Sequence, residues 1–307
     1  MGLETSEDGR YYASFLIHGA SSGRLSSRAV WKGPQLQNIP KGARGIFVPS
    51  SNHRFVKGDY ARAEAMHVAF DSECAYLIDL FSSPGRDLYA ETACRILKQE
   101  LRSVGRGTLE REAFKHLVLG IGYGMGASKL VTTLRLQGHI DIADIDLPGS
   151  SRTAKAKYAI DAYFSLCPEV KQWQDRIWQQ VCKTRVLYSD FGRRRFFAGR
   201  LSDQDEGEEK STKNLALSYR AQSTIVGLTN RAIRVLDAMN APIVLQVHDE
   251  LVLDAPEDQI EYWASELKSA MEHPLIIHGR TMTIPVEIQV GSSWSPRDMS
   301  EWVRKTA

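Results

Sequence analysis

The chain has 307 residues, 43% apolar and 25% charged, and its 39 Lys and Arg against 37 Asp and Glu give a formal net charge of +2. These values match folded globular domains and exclude a disordered charged tail, a fibrous repeat and a disulfide-dense scaffold. No apolar run reaches the ~18 residues a membrane span needs, and with so small a bulk charge any nucleic-acid interface must rest on local clusters.

The N-terminus "MGLETSEDGRYY" lacks a basic-then-apolar signal segment, and its Met-Gly start followed by Ser6 matches a myristoylation pattern only superficially. Residues 1 to 50 are rich in Gly, Ser and Pro and read as short strands and cationic turns. "RFVKGDY" then reads as a strand ending at Asp59, and "ARAEAMHVAFDSECAYLIDLF" follows with helical periodicity. From about 85 to 200 the chain reads as mainly helical, with a basic amphipathic helix at "LEREAFKHLVLGIGYGM" and helices near 152 to 165 and 169 to 182 separated by Pro168. "TRVLYSDFGRRRFFAGR" alternates like a hairpin, the acidic "DQDEGEE" follows, and a long helix spans about Lys213 to Met239 before the stop at Asn240 and Pro242. In "PIVLQVHDELVLDAP" two apolar strands meet at His248, Asp249 and Glu250, a hairpin tip. "IEYWASELKSAMEH" is an amphipathic helix and "MTIPVEIQV" a strand. Strands at both ends with helices between predict an α+β fold carrying a helical insertion.

The four cysteines, Cys74, Cys94, Cys167 and Cys182, form no C-x-x-C pair, which speaks for a reducing compartment and against a zinc site. His53, His67, His116, His139, His273 and His278 have no ligand spacing and read as structural or surface residues. Asp59 and Asp249 lie 190 residues apart. If their strands were sheet neighbours, both carboxylates could hold divalent cations ~3.5–4 Å apart. Taken singly, one is as well read as a helix cap and the other as a turn residue. On the helix at 109 to 125, Arg111, Lys115 and Leu119 share a stripe with Tyr123 at its edge. Two cations at i and i+4 repel, so an anion should compensate them; a triphosphate fits, and so does a solvated face.

"GDYARAEAMHVAF", "REAFKHLVLGIGYGM" and "LQVHDELVLDAP" resemble, in this order, the three polymerase motifs of the family A DNA polymerases, the bacterial polymerase I and phage-type group. "SGRLSSRAVWKGPQLQNIP" is similar to that family's Thr-Gly-Arg-Leu-Ser-Ser and Leu-Gln-Asn-Ile-Pro segment, "FGRRRFF" to its arginine hairpin, and "RAQSTIVGLTNRAI" to its Gln-containing helix. The resemblance implies a right-hand polymerase fold: an antiparallel-sheet palm at 1–72 and 206–307, helical fingers at 73–205, and no thumb or exonuclease. It implies that Asp59 and Asp249 hold two Mg²⁺ or Mn²⁺ ions beside Glu250, that Arg111 and Lys115 hold the incoming triphosphate, and that Tyr123 packs near the nascent base pair. Lys115, Asp59, Asp249 and Glu250 form the implied catalytic set. Glu64 matches the family's steric gate against a ribose 2′-hydroxyl, and Arg24, Asn38, Gln222 and His248 match contacts to primer-template DNA.

Leu119 departs from the family's usual Phe or Tyr, which bears on sugar discrimination. Ala65, Met66 and Arg62 around the gate, and Asn214 and Ser218 in the later helix, also differ from common family residues. The start only a few residues before the Gly-Arg-Leu-Ser-Ser segment implies a fragment, or one polypeptide of a split polymerase whose partner carries thumb and exonuclease, in bacterial or infected-host cytoplasm. The implied reaction is DNA-templated addition of dNTPs to a primer 3′-hydroxyl. A single-subunit RNA polymerase shares the paired aspartates and the basic helix, but Glu64, the His-Asp-Glu order and "LQNIP" speak against it. A non-catalytic DNA-binding subunit has no need of both metal-ligand aspartates.

Overall fold

The computed structural model describes residues 5–17, 19–29, 35–83, 85–203 and 211–303. Met1 and Gly2 of the N-terminal pattern and residues 204–209 of the acidic stretch lie outside the described residues. In chain order the elements are strands β1 (Ala13–Leu16), β2 (Ser26–Ala29) and β3 (His53–Tyr60), then helices α1 (Ala63–Asp71), α2 (Ala75–Ser82), α3 (Leu88–Leu97), α4 (Leu109–Gly122), α5 (Ala127–Gln137), α6 (Arg152–Leu166) and α7 (Pro168–Thr184). The hairpin β4 (Val186–Tyr188) and β5 (Arg194–Phe196) precedes the long α8 (Thr212–Ala238). Strands β6 (Ile243–Val247) and β7 (Glu250–Pro256), helix α9 (Ile260–Met271), and strands β8 (Leu275–Ile277), β9 (Arg280–Met282), β10 (Val286–Gly291) and β11 (Met299–Glu301) complete the chain. The fold is mixed α+β with antiparallel sheets, as the alternation of patterns predicted.

The chain divides into two compact units, the first comprising Met1–Ala63, Gln222–Leu275 and Thr283–Ala307, the second Glu64–Ala221 with Ile276–Met282. The sequence reading placed the first boundary at 72 and the second at 205; the observed divisions fall inside α1 and α8, where continuous helical periodicity hides them.

The first unit is built on a five-stranded antiparallel sheet in the order β11-β10-β3-β7-β6. Side chains alternate across a strand, so β3 sorts its residues between two faces. Val56, Gly58 and Tyr60 face α9: a Cβ on Gly58 would lie 2.7 Å from Met271 Sδ, and the Tyr60 hydroxyl donates to the Met271 carbonyl at 2.8 Å. A side chain at Gly58 would have to displace those of Met271 and Leu267 on α9. Phe55, Lys57 and Asp59 face the other way. There Phe55 and Val252 join a buried cluster with Leu36, Ile39, Leu245, Val247 and Trp294. Burying this apolar surface at one end of the face leaves the polar end, with Asp59, to be stabilised by other means.

The second unit is mainly helical, and its helix starts carry the expected caps. Asp87 accepts from the Tyr89 and Ala90 amides at 3.0 and 3.2 Å to start α3, Thr108 caps α4, Ser151 caps α6, and Pro168 opens α7. Its centre holds a buried ionic cluster rather than apolar side chains alone. Asp71 accepts from both Arg220 Nε and a terminal Arg220 nitrogen at 2.8 Å, from Trp173 Nε1 at 2.7 Å, and lies 3.2 Å from His278 Nε2. Arg220 also reaches Asp190 at 3.3 Å, and Asp190 pairs with the buried His67 at 2.7 Å. Burial alone would raise the Asp71 carboxyl, but His67 and Arg220 outweigh it and hold the group below its ordinary value.

Candidate active site

The strand register assembles acidic residues that are remote in sequence. Asp59 pairs directly with Glu250 on β7 and with Glu287 on β10, so three carboxylates form one row across the centre of the sheet. The pairing Val247 with Glu250 leaves His248 and Asp249 as a two-residue turn at the end of that row. His248 takes φ +58° there, the left-handed conformation that tight hairpins require of a turn residue, and its side chain is exposed while Asp249 is half-buried. Like charges directly opposite one another repel. The effect is visible in Asp59, which burial first, then Asp249 and Glu250, push from 3.8 up to about 6 against the opposing pull of Lys57.

Glu250 has its charge met by neighbouring side chains. It is 7% exposed. Trp294 Nε1 donates to Oε1 at 2.9 Å, Lys57 Nζ lies 3.6 Å from Oε2, and an Arg44 terminal nitrogen 4.0 Å from Oε2. Arg44 stacks on the Trp294 ring at 4.1 Å, and Phe47 packs edge-on against that ring at 5.8 Å. Sequence reasoning missed these partners of Glu250, together with Glu287. Lys57 carried a signal, because a residue two before Asp59 in a strand must share its face; Arg44, Trp294 and Glu287 carried none.

The donor set fits hard divalent cations: carboxylate oxygens, with one aspartate destabilised by its like-charged neighbours. Asp59 and Asp249 are the residues able to hold such ions. Among the described residues no three or more His, Cys, Asp or Glu side chains close around one point, so water and phosphate oxygens would complete the shell, as Mg²⁺ prefers.

The other predicted residues of this unit are Asn38, Arg24 and Gln222. Asn38 is exposed and donates to Gln35 Oε1 at 2.9 Å, while Arg24, in the loop before β2, and Gln222, on α8, are half-buried.

The second unit holds Glu64, Arg111, Lys115, Leu119 and Tyr123. Glu64 in the first turn of α1, with Leu119 and Tyr123 on α4 and at its C-terminal cap, line one narrow cleft together with Leu77, Leu88 and Val118. The helical stripe thus brings the three residues read as sugar and base contacts together. Its cations have an anion already: Arg111 Nε donates to Asp87 at 2.8 Å and a terminal nitrogen donates to Glu112, with the guanidinium 5.4 Å from the Tyr89 ring. Lys115 is more open, its side chain 45% exposed and 4.0 Å from Glu112. The compensation expected for the i, i+4 cations is therefore met within the protein at Arg111, through a residue 24 positions earlier that helical spacing cannot reveal.

The sequence profile of DNA polymerase family A matches residues 2–296. Among curated proteins, the chain is 29% identical over 298 residues to the thermostable DNA polymerase I of Thermus aquaticus, covering 93% of this chain and 32% of that one. It is 28% identical over 302 residues to DNA polymerase I of Treponema pallidum, covering 94% of this chain and 28% of that one. Among solved structures, the POL domain of Pol1 from M. smegmatis, in complex with DNA primer-template and dNTP, superposes with a TM-score of 0.75 at 25% identity, covering 94% of this chain and 49% of that one. The chain spans about a third of the length of such curated relatives. With the antiparallel sheet, the acidic row and the matched span in agreement, the chain belongs to DNA polymerase family A.

Proposed function

We propose that the chain is the catalytic portion of a DNA-templated DNA polymerase, with the first unit as palm and the second as fingers. The observation that carries the reading is the acidic row closed by the His248-Asp249 turn, in which burial first, then Asp249 and Glu250, raise the Asp59 carboxyl to about 6. Two bound divalent cations would supply activation of a primer 3′-hydroxyl and neutralisation of triphosphate charge. Asp59 and Asp249 would hold them. Glu250, with its charge met by Trp294, Lys57 and Arg44, anchors the start of β7 and keeps the turn in place.

In the second unit, Glu64, Leu119 and Tyr123 shape the cleft that takes the sugar and base of the incoming dNTP, and Lys115 offers its exposed ammonium to the phosphates. Arg111 would join it by exchanging Asp87 for phosphate oxygens, a swap of one charge-assisted pair for another. Leu119 gives the sugar an aliphatic rather than aromatic wall. Arg24, Asn38, Gln222 and His248 would contact the primer-template. The structural relative bound to primer-template and dNTP supports this set of ligands, and the length of the curated relatives supports a further polypeptide region supplying thumb and exonuclease.

Primer extension with dNTPs, and separately with rNTPs, tests the proposal. Extension with dNTPs that is lost in Asp249→Ala while DNA binding is retained supports it. Survival of extension in that variant removes Asp249 from the reaction, and equal use of rNTPs assigns the chain to RNA synthesis.

A further inference from the structure

β6 is an edge strand, yet its Gln246 is 7% exposed, a buried amide three residues before Asp249. Buried amides persist when their donors and acceptors are satisfied, so its partners are informative. The Ser27 amide donates to Gln37 Oε1 at 3.0 Å; Gln37 Nε2 donates to Gln246 Oε1 at 3.0 Å and lies 3.4 Å from the Gln246 carbonyl; Gln246 Nε2 donates to the His248 carbonyl. The two ends fix the direction of the chain of bonds. A backbone N–H can only donate and a backbone carbonyl can only accept, so each glutamine must accept from behind and donate ahead.

The last acceptor matters most. The His248 carbonyl belongs to the peptide plane that leads into Asp249, and His248 is a non-glycine residue at φ +58°. Such a conformation costs about 1 kcal/mol and persists where surrounding contacts hold it. Holding that carbonyl fixes ψ of His248 and, through the same plane, the direction in which Asp249 leaves the turn.

The geometry points to Gln37 and Gln246 as positioning residues, an amide relay from Ser27 that sets how the Asp249 carboxylate is presented to a divalent cation. The relay itself stands on the hydrogen bonds, and its consequence for catalysis rests on the polymerase reading above. Neither glutamine touches the reacting groups.

Gln246→Met keeps the length of the side chain and removes both of its bonds. Loss of a group that orients a metal ligand typically lowers activity or metal affinity by about 10- to 100-fold. The expected result is a fall of about tenfold or more in kcat for single-nucleotide extension, with KM for dNTP and the Kd for primer-template DNA within about twofold of wild type. Mn²⁺ binding, read from the free-ion electron paramagnetic resonance signal with dideoxy-terminated primer-template and no turnover, should weaken by a similar factor. Gln37→Met should give a smaller fall, and adding it to Gln246→Met should cost nothing further, the non-additivity of residues acting in series.

Wild-type kcat and Mn²⁺ affinity in Gln246→Met overturn the relay. So do losses that merely follow the folded fraction seen in thermal melts, or that add fully in the double variant. If Gln246→Met does not fold, Gln37→Met carries the same comparison. An inactive wild type, or an active Asp249→Ala, removes the polymerase reading instead, and the Mn²⁺ measurement still decides the relay.

Discussion

Asp59→Asn preserves the shape of the side chain at the centre of the acidic row and removes its charge. Burial, Asp249 and Glu250 raise the Asp59 carboxyl from 3.8 to about 6, which corresponds to about 3 kcal/mol of differential interaction between its ionised and neutral forms. Between those two values the folded chain holds a proton that the unfolded chain has released, so stability falls as pH rises through the window and the whole cost is present above it. At pH 8 without divalent cations, Asp59→Asn should therefore be the more stable protein by up to about 3 kcal/mol, or about 5–10 °C in Tm for a unit of this size. The same linkage reduces the gain to about half at pH 5. Circular-dichroism melts of both proteins at the two pH values measure it. Adding Mg²⁺ should raise the Tm of the wild type and not of the variant, while the variant loses primer extension. Equal Tm values at pH 8, or a gain that does not shrink at pH 5, would refute the account of Asp59 as an ionised group destabilised by burial and by its like-charged neighbours.

Glu64→Ala should raise the rNTP:dNTP ratio of kcat/KM by about tenfold or more, since removing the half-buried Glu64 side chain leaves an apolar wall, which rejects an added hydroxyl only weakly; an unchanged ratio would take Glu64 out of sugar selection. Asp71→Asn leaves Arg220 with half its pairing in a buried setting, and should cost about 3–5 kcal/mol in urea unfolding of the second unit. Because Asp71 is held below its ordinary value, its contribution should be present at neutral pH and disappear as pH falls through that lowered value. A loss under about 1 kcal/mol would place the cluster among exposed ion pairs of little consequence.

The elements that proved legible are those in which one face dominates. Strand-like runs marked β3 and the β6-β7 hairpin, the amphipathic stripe marked α4, Pro168 marked the break between α6 and α7, and the turn residues His248 and Asp249 stand where apolar strands ran out. The observed ends differ by a residue or so, as with Tyr60 closing β3. Other features depended on what the folded chain brings together. The run read as one helix after Asp59 is two, broken around Glu73 at φ +59°, and the strand read at "MTIPVEIQV" is β10 from Val286 onward, with Met282 ending β9 and residues 283–285 between them. Periodicity reports that a residue faces inward without saying what it meets there. Trp294 on Glu250, Asp87 on Arg111, and the two glutamines behind His248 were invisible for that reason.

The position of β3 has a consequence for how the protein comes into being. Both of its partners, β7 and β10, are encoded after residue 243, so a growing chain exposes β3 with neither edge paired until roughly 190 further residues are made. The helices between them rely on nearer contacts and can condense during synthesis, whereas the sheet must wait for pairings some 200 residues apart, the slow class of folding event. The acidic row therefore forms only after β7 and β10 have been made. Until β7 is made the nascent chain is incapable of assembling the Asp59 and Asp249 pair, and the strand at risk of aggregation carries its own deterrents, Lys57 and Asp59, on one face.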